Sequence, residues 1–478
     1  MSDAPLRTQA FVAGAWTATA ATFDVTSPAT GEVVAAVADC GADQARAAAD
    51  AAVAAFAAWR RTTAYERAAI LSRWHALILR DEARLGDLMA REMGKPVTEG
   101  RGEARYAAGF VSYYAAEAIR VHGETIPSQF AHKRLLVQHR PVGPVFAVTP
   151  WNFPAAMVTR KAAPALAAGC TMVVKPAEQS PLSALHLAAL WEEAGGPPGT
   201  LQVLPCRDPL PVSQVLMEDP RIRKVSFTGS TEVGMLLYRQ AAPTMKRLSL
   251  ELGGHAPFLV FADADVDAAV RDVMASKFRN AGQTCVCANR IYVQRALVEP
   301  FTVRLAEAAR ALRVGDPLDP ATQVGPLVDD AAVAKVEAHV ADALAQGATL
   351  VTGGTRGART YFAPTVLTGV RAGMRLLGEE TFGPVAPVIP FDTEAEAVAA
   401  ANAGSAGLAA YLWTRDLSRA FRVSEALDFG IIGVNDGVPS TPQAPFGGVK
   451  FSGLGREGGH QGIAEYLDVQ YVSLGLEG

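Results

Sequence analysis

The chain has 478 residues and a formal net charge of −4 at neutral pH. This length exceeds what a single hydrophobic core usually supports, so two or three domains are expected. Half of the residues are apolar and 19% are charged, which is typical of a soluble globular protein. The slight acidity argues against a nucleic-acid partner, because such a partner requires a basic face.

The sequence also lacks the patterns of export and of membrane insertion. Met1–Pro5 shows no basic and then apolar signal pattern. No uncharged apolar run reaches the roughly 18 residues that a membrane helix needs. The five cysteines are few and odd in number, which favours a reducing compartment over a disulfide framework. We therefore predict a cytoplasmic protein without a membrane partner, and no Cys/His spacing predicts a metal site.

The first part of the chain is predicted to contain antiparallel strands followed by helices. Helical patterns cover residues 42–60, 65–92 and 100–120. Residues 124–140 break the helical period, and residues 135–140 could form a projecting strand. From residue 145 onward, strand and helix patterns alternate. Strands are predicted at 145–148, 171–174, 201–204 and 224–227, with helices at 155–168, at 182–194 and from 231.

A second series of strands and helices begins at residues 256–261. The tail, residues 466–476, alternates between polar and apolar residues and could pair with the projecting segment, within or between subunits. Strands that alternate with helices form parallel sheets with crossover helices. The fold class is therefore predicted as α/β, with two open, mostly parallel domains and a small β hairpin. The second series, which begins at residues 256–261, continues with strands at 290–293 and 385–389 and helices at 299–313 and 330–346.

Cys285 is the strongest candidate for a catalytic residue. It follows a helical pattern at 265–277 and stands close to Asn280, Gln283 and Thr284. Polar neighbours are unusual for a buried structural cysteine, which is the commonest role of a free thiol. A thiolate is a strong nucleophile, but an ordinary thiol has a pKa of about 8.5, so the site must activate it. This chemistry suits attack on a carbonyl group followed by release of an acid.

Two further residues could complete that chemistry. Glu251 follows an apolar, strand-like segment and precedes two glycines, so its carboxylate could deprotonate water or the thiol. Asn152 follows the predicted strand 145–148, at the end where open α/β sheets bind ligands. Its amide could stabilise an oxyanion together with the backbone N–H of Cys285. The alternatives are a solvated loop glutamate and a simple helix cap.

Lys175 and Glu178 follow the next predicted strand in the same way. Lys175 could donate to ribose hydroxyls, and Glu178 could accept a hydrogen bond from the adenosine ribose. The negative charge of Glu178 would repel a 2′-phosphate, which favours NAD over NADP. A surface ion pair is an equally good interpretation of either residue alone.

Other segments could bind the rest of a dinucleotide. Gly229 and Ser230 lie between a strand and a helix, where backbone N–H groups and the hydroxyl could meet a pyrophosphate. Glu380 could hold the nicotinamide ribose, with Phe382 packed beside it. The formal Gly-x-Gly-x-x-Gly pattern at 453–458 follows no clear strand, so we do not assign it to nucleotide binding.

Seven motifs in order cover nearly the whole chain. They are Pro150–Pro154, Lys175–Glu178, Phe227–Ser230, Glu251–Gly254, Gly282–Cys285, Glu380–Pro384 and Pro445–Gly448. Jointly they resemble the NAD(P)-dependent aldehyde dehydrogenase superfamily. The resemblance implies that Cys285 is the nucleophile, that Glu251 is the base and that Asn152 forms an oxyanion hole with the Cys285 amide. It also implies a dinucleotide on Trp151, Lys175, Glu178, Gly229, Ser230, Glu380 and Phe382.

The resemblance implies a cofactor-binding domain, a catalytic domain and a bridging hairpin that builds homodimers or homotetramers. We expect the cofactor-binding domain at 1–123 and 142–248, the catalytic domain at 249–446 and the bridging segments at 124–141 and 464–478. Residues 447–463 are expected to return to the cofactor-binding side.

Within this family, the chain is most similar to enzymes that oxidise succinate semialdehyde. The similarity rests on residues 157–161, 277–287, 455–458 and 465–467. It implies that Arg160, Arg279 and Ser440 hold the distal carboxylate, with Phe446 also at the substrate. An arginine fork suits a carboxylate because it binds both oxygens. The loop 435–444 departs from this group with Asp436 and two prolines, so the substrate length stays open.

Several alternatives remain at this point. Glutarate semialdehyde or another ω-functionalised aldehyde is the nearest, although a cationic substrate would conflict with Arg160 and Arg279. A coenzyme A-acylating enzyme is disfavoured because Glu251 is present to activate water. A non-catalytic binding relative and a thiol hydrolase belong to other classes. Cys287 could form a reversible disulfide with Cys285, or it could simply pack in the core.

Overall fold

The computed structural model describes residues 6–476. The segment Met1–Pro5, on which the prediction of no signal pattern rests, lies outside the described residues, as do the last two residues of the predicted segment 464–478. Within residues 6–476, no helix has both the length and the apolar character that crossing a membrane requires.

Strands and helices alternate through most of the chain. The strands are β1 Ala10–Val12, β2 Ala15–Thr17, β3 Thr22–Thr26, β4 Val33–Ala38, β5 Glu124–Ile126, β6 Lys133–Pro141, β7 Val145–Val148, β8 Met172–Lys175, β9 Leu201–Val203, β10 Lys224–Thr228, β11 Arg247–Glu251, β12 Ala256–Val260, β13 Ala288–Gln294, β14 Thr349–Thr352, β15 Thr365–Thr368, β16 Val385–Phe391, β17 Ala409–Trp413, β18 Ile431–Val434, β19 Gly453–Leu454 and β20 Leu467–Gly475. The α-helices are α1 Ala42–Trp59, α2 Ala64–Arg80, α3 Glu82–Met93, α4 Val97–Ala118, α5 Ala156–Ala168, α6 Pro181–Glu193, α7 Pro209–Glu218, α8 Thr231–Ala241, α9 Val266–Lys277, α10 Val298–Ala311, α11 Asp330–Ala345, α12 Arg375–Gly378, α13 Glu394–Asn402, α14 Leu417–Ala426 and α15 Gly459–Ala464.

The first sheet has eight strands in the order β19-β11-β10-β7-β8-β9-β1-β2. Its five central strands run parallel, and antiparallel strands close both edges. Helix α5 is buried along its whole length, because helices and sheet both cover it. The predicted α/β class with a mostly parallel sheet is confirmed.

The second sheet has seven strands in the order β14-β15-β16-β13-β12-β17-β18, and only β14 pairs antiparallel. The chain crosses from the first sheet to the second between β11 and β12, so Glu251 ends the last strand before the crossing. The predicted division between residues 248 and 249 falls inside β11. The assignment of whole domains stays a prediction.

The predicted projecting segment and the tail pair with each other within the chain. Strands β6 and β20 are antiparallel over nine residue pairs, from Leu467 opposite Pro141 to Gly475 opposite Lys133. Strand β5 completes this three-stranded sheet.

The helical pattern at 65–92 is divided at Asp81, so the prediction of one continuous helical stretch was wrong there. The backbone of Asp81 leaves the helical region, and its carboxylate accepts hydrogen bonds from Arg80 and from His186 on α6. A tertiary contact therefore breaks the helix at this residue.

The register of the first sheet brings the ends of its parallel strands together. Val148 lies opposite both Lys175 and Phe227, and Thr228 lies opposite Glu251. The loops that follow β7, β8, β10 and β11 therefore meet at one edge of the sheet. From this edge, the segment after Glu251 leads into the second sheet.

Candidate active site

Two cavities meet at Cys285. The smaller cavity has a volume of about 350 Å³ and includes all of the residues predicted to hold a distal carboxylate. The larger cavity has a volume of about 710 Å³ and includes most of the residues predicted to hold a dinucleotide. Cys285, Met157, Arg160 and Phe446 line both cavities. The cysteine thus stands where two binding spaces join.

The loop before Cys285 has an unusual backbone. Asn280, Ala281 and Gly282 have consecutive positive φ angles of 51°, 54° and 77°. Non-glycine residues rarely adopt this conformation, and such strain concentrates at functional sites. A carboxylate oxygen of Glu99 accepts a hydrogen bond from the Asn280 backbone N–H at 2.8 Å, which stabilises the turn. The loop therefore presents Cys285 at a fixed place between the cavities.

The surroundings of the Cys285 thiol favour its protonated form. Burial raises its pKa to about 12, although Arg160 opposes the shift and the carboxylate of Glu380 adds to it. The side chain is only partly covered by protein and faces both cavities. The thiol consequently requires a proton acceptor before it can act as a nucleophile.

Glu251 is a suitable acceptor at the end of β11. Its side chain is 3% exposed, and neither carboxylate oxygen has a hydrogen-bond partner among residues 6–476. Burial raises the pKa of this carboxyl well above its usual value, and the nearby charge of Glu457 raises it further. The positive charge of Arg160 acts in the opposite direction. An unpaired, buried carboxyl that lines the larger cavity beside Cys285 has the properties of a general base.

Asn152 is anchored directly to the cysteine loop. Its Nδ2 donates to the carbonyl oxygen of Gln283 at 2.9 Å, two residues before Cys285. The amide carries a second hydrogen, which remains for a ligand. Asn152 is buried and lines the larger cavity together with Cys285. The structure therefore brings the three predicted catalytic residues to the same cavity.

The smaller cavity contains the predicted anion-binding residues. Arg160, Arg279, Ser440 and Phe446 all line it. Nη2 of Arg160 and Nε of Arg279 are buried and have no hydrogen-bond partner in the described chain. The guanidinium of Arg160 lies 4.0 Å from the centre of the Phe446 ring. Buried, unpartnered N–H donors that line a cavity are arranged to receive an anion.

Five of the seven residues predicted at the dinucleotide line the larger cavity. They are Trp151, Gly229, Ser230, Glu380 and Phe382. Lys175 and Glu178 do not line it; they lie at the carboxyl end of β8, where Lys175 pairs with Val148 of β7. The Nζ atom of Lys175 is 3.3 Å from a carboxylate oxygen of Glu178, whose side chain is 40% exposed.

The residues of the larger cavity fit a dinucleotide. Ser230 caps α8, and its hydroxyl accepts a hydrogen bond from the Val233 N–H at 3.3 Å, so the first N–H groups of an eleven-residue helix point to this side. Glu380 is partly buried, and among residues 6–476 it accepts one long hydrogen bond, 3.4 Å, from the Gly254 N–H. Burial raises the pKa of Glu380 to about 8, against the opposing charge of Lys335. A helix N-terminus and a partly buried carboxyl with a single long hydrogen bond match a phosphate and a ribose hydroxyl.

Sequence analysis did not recognise two charge clusters near the site. Glu457 forms ion pairs with Arg160 and with Lys161, and Lys161 also donates to the Thr228 hydroxyl at 2.6 Å. Sequence analysis noted Glu457 only as part of a glycine-rich motif. The second cluster is Lys95, Glu99 and Glu103, which lines the smaller cavity. Their four-residue spacing, from Lys95 just before α4 to Glu99 and Glu103 on α4, is the one signal that could have indicated a common face.

Comparison with known proteins agrees with this geometry. The model of the aldehyde dehydrogenase family matches residues 16–472. The chain belongs to the aldehyde dehydrogenase family. The predicted family is therefore confirmed, and this aldehyde dehydrogenase is an oxidoreductase that acts on aldehydes.

Three relatives of this aldehyde dehydrogenase show how far the similarity extends. The chain is 52% identical to the succinate-semialdehyde dehydrogenase (NADP(+)) of Escherichia coli strain K12, over 98% of both chains. It is also 52% identical to the 3-sulfolactaldehyde dehydrogenase of Pseudomonas putida, over 98% of this chain and 97% of that one. The crystal structure of succinate-semialdehyde dehydrogenase from Burkholderia pseudomallei superposes with a TM-score of 0.97 at 51% identity, over 98% of both chains.

Proposed function

We propose that this aldehyde dehydrogenase oxidises succinate semialdehyde to succinate. One observation carries the proposal: Cys285 shares a cavity of about 350 Å³ with the unpartnered N–H groups of Arg160 and Arg279. An aldehyde that carries a carboxylate a few atoms away would place its two ends against these groups. The similarity to enzymes named for succinate semialdehyde supports the same substrate.

In this proposal, Glu251 first accepts the proton of the Cys285 thiol. The thiolate forms a bond to the aldehyde carbon, and the carbonyl electrons move to the oxygen, which accepts a hydrogen bond from Asn152 Nδ2. A dinucleotide bound in the larger cavity would accept the hydride from this carbon. Cys285 then carries a thioester. Glu251 releases the thiol proton to solvent through the larger cavity and is ionised again. It then takes a proton from water as the water oxygen attacks the thioester, the carbon–sulfur bond breaks and the acid leaves, and Glu251 returns this proton to the Cys285 sulfur.

For the cofactor, we propose NAD in preference to NADP. Glu178 would accept a hydrogen bond from the ribose 2′-hydroxyl, and its charge would repel a 2′-phosphate. Lys175, held beside it, would donate to the ribose, and Ser230 and the start of α8 would meet the pyrophosphate. Gly229 would meet the pyrophosphate together with Ser230, and Trp151, Glu380 and Phe382 would surround the nicotinamide end. The Escherichia coli relative is named for NADP, so Glu178 is the residue to test.

A second candidate substrate is a short sulfonated aldehyde. The donors around the smaller cavity exceed the needs of a carboxylate with two oxygens, because Ser440 and Tyr106 line it together with the two arginines. A sulfonate has three oxygens and would use a third donor. The Pseudomonas putida relative is named for 3-sulfolactaldehyde. Glutarate semialdehyde, with one more methylene, is the remaining alternative.

The test compares kcat/KM for succinate semialdehyde, glutarate semialdehyde, 3-sulfolactaldehyde and propanal, each with NAD and with NADP. We expect succinate semialdehyde to exceed propanal by about 100-fold, since a charged hydrogen bond contributes roughly 1.5–3 kcal/mol. Equal values for propanal would remove the carboxylate-binding role. A higher value for 3-sulfolactaldehyde would assign the sulfonated substrate instead.

We further propose a cytoplasmic homodimer or homotetramer that uses the sheet of β5, β6 and β20. Val469 and Tyr471 on β20 are 69% and 58% exposed, and Ile126 on β5 is 40% exposed. A second subunit would cover this apolar surface. Light scattering on the wild type and on a variant with Val469→Asp and Tyr471→Asp measures the assembly. A wild-type monomer would contradict it.

A further inference from the structure

A buried ion pair outside the assigned catalytic residues contacts both the oxyanion residue and the helix that carries Arg160. Lys95 and Glu103 are each 1% exposed and form an ion pair in the smaller cavity. Removing two charges from water is costly, so such a pair persists only where its geometry is well satisfied. Its contacts show what it holds in place.

The ammonium group of Lys95 holds the backbone of Asn152. Its Nζ donates to the Asn152 carbonyl oxygen at 2.7 Å. Nδ2 of Asn280 donates to the same oxygen at 3.2 Å and also to the carbonyl oxygen of Gln283 at 3.2 Å. The Asn152 side chain donates to that Gln283 carbonyl as well. Lys95 is therefore the fixed end of a short network that joins Asn152 to the loop of Cys285.

The carboxylate of Glu103 holds the other side of the same segment. One of its oxygens accepts hydrogen bonds from the backbone N–H groups of Ala155 at 2.9 Å and Ala156 at 3.1 Å. Ala155 has no side chain that could cap α5, so Glu103 supplies the missing acceptor from α4. Arg160 lies on the second turn of this helix. The pair thus spans the three residues between Asn152 and the start of α5.

The aromatic ring of Phe153 completes the contact. Nζ of Lys95 lies 3.7 Å from the centre of this ring, and the guanidinium of Arg279 lies 5.4 Å from it. The ring lines the smaller cavity between the two cations. It keeps Lys95 at one position, since a cation over an aromatic face is stabilised when it is desolvated.

We propose that Lys95, paired with Glu103, is a positioning residue of the reaction: it fixes the Asn152 backbone so that Asn152 Nδ2 faces the substrate oxygen at Cys285. The inference rests on the proposed role of Asn152 in oxyanion binding. Lys95 itself needs no contact with the reacting atoms. It acts through Asn152, and this predicts that the effects of changing the two residues are not independent.

The experiment is a double-mutant cycle with Lys95→Met and Asn152→Ala. Activity is expressed per Cys285 thiol of folded protein: the folded fraction is isolated by size-exclusion chromatography, alkylated with iodoacetamide, and the labelled Cys285 peptide is counted by mass spectrometry. We expect Lys95→Met to lower kcat by about 10-fold or more, since loss of an oxyanion donor lowers kcat by roughly 100- to 1,000-fold and misplacement by less. KM for succinate semialdehyde should change less than threefold.

In the Asn152→Ala background, Lys95→Met should have little further effect on kcat. Two effects that multiply would overturn the proposal, as would an unchanged kcat in Lys95→Met alone. If Asn152→Ala leaves kcat unchanged, the proposed oxyanion role of Asn152 fails. This result differs from the two results that would overturn the positioning role of Lys95.

Two further variants control for stability. Lys224→Met removes another buried lysine, which donates to Ser249 at 2.5 Å near the opposite end of the first sheet. It should lower the unfolding temperature and leave kcat per thiol unchanged. If Lys95→Met does not fold, Lys95→Met with Glu103→Gln removes both charges and keeps an acceptor for Ala155 and Ala156. This double variant should show the same loss of kcat, and a wild-type kcat would overturn the proposal.

Discussion

Nε of Arg160 lies 3.0 Å from Oε2 of Glu457, and both side chains are buried. The other carboxylate oxygen of Glu457 pairs with Lys161. One carboxylate therefore pairs with two buried cations, and Nη2 of Arg160 has no hydrogen-bond partner within residues 6–476. Arg160 therefore uses Nε in an ion pair that supports the structure, while Nη2 faces the cavity without a partner in the described chain. The ion pair with Glu457 distinguishes Arg160 from Arg279.

The two arginines should differ when each is replaced by methionine. Arg279→Met should raise KM for succinate semialdehyde about 10- to 100-fold, because a charged hydrogen bond of roughly 1.5–3 kcal/mol is lost. Arg160→Met should raise KM similarly and also lower the free energy of unfolding by about 3 kcal/mol, because Glu457 loses a buried partner. Steady-state kinetics and urea unfolding measure the two effects.

Propanal is the control substrate for these arginine variants. It has no distal anion, so kcat/KM for propanal should stay within about threefold of wild type in Arg279→Met. A parallel loss on both aldehydes would show that the arginine supports the structure of the site and does not bind the anion.

The pH dependence of turnover should report Glu251. Burial, and then the charge of Glu457, raise the pKa of Glu251, and only its ionised form can accept a proton. Turnover should therefore rise with pH until that pKa is passed. Glu457→Gln removes the like charge and leaves Arg160 and Lys161 positive, so the pKa of Glu251 should fall. The acidic limb of the kcat profile should move to lower pH, and a move to higher pH would contradict this electrostatic arrangement.

The two neighbouring cysteines provide a matched pair of variants. Cys285→Ala should abolish dehydrogenase turnover, because no other described thiol lines either cavity. Cys287 is buried, and Lys277 donates to its sulfur at 3.3 Å while also donating to Asn289 at 3.0 Å. Cys287→Ala should retain most of kcat, since Lys277 keeps a partner. NADH formation followed at 340 nm measures both, and turnover in Cys285→Ala would exclude the assigned nucleophile.

Cofactor preference should change when Glu178 loses its charge. In Glu178→Gln the carboxylate no longer repels a 2′-phosphate, and the ammonium of Lys175, now 3.3 Å from Glu178, becomes available to it. We expect kcat/KM for NADP to rise about tenfold, which corresponds to roughly 1.4 kcal/mol, with a smaller change for NAD. Lys175→Met in the same background should cancel the gain. An unchanged ratio of the two cofactors would show that Glu178 does not contact this part of the dinucleotide.

Local sequence patterns predicted the parts of the fold in which the spacing of apolar residues shows which side chains are buried. The strand at 145–148 was predicted with its observed bounds, because a short apolar run in a parallel sheet is covered on both faces. The strand pair of the projecting segment and the tail was also predicted, since both alternate with a period of two. The candidate site residues at the ends of the parallel strands were also predicted, because the carboxyl ends of parallel strands meet at one edge of a sheet.

What the sequence by itself determined was the order of strands and helices and the residue types at each strand end. The tertiary structure alone decided which charges share a buried space. The glycine-rich segment 453–458 shows this: a side chain at Gly453 would lie 1.8 Å from the Leu250 carbonyl oxygen, so glycine allows β19 to lie against β11 and brings Glu457 to Arg160. Lys95 reaches Asn152 in the same way, across 57 positions of sequence. Such contacts depend on long-range packing, which no local periodicity encodes.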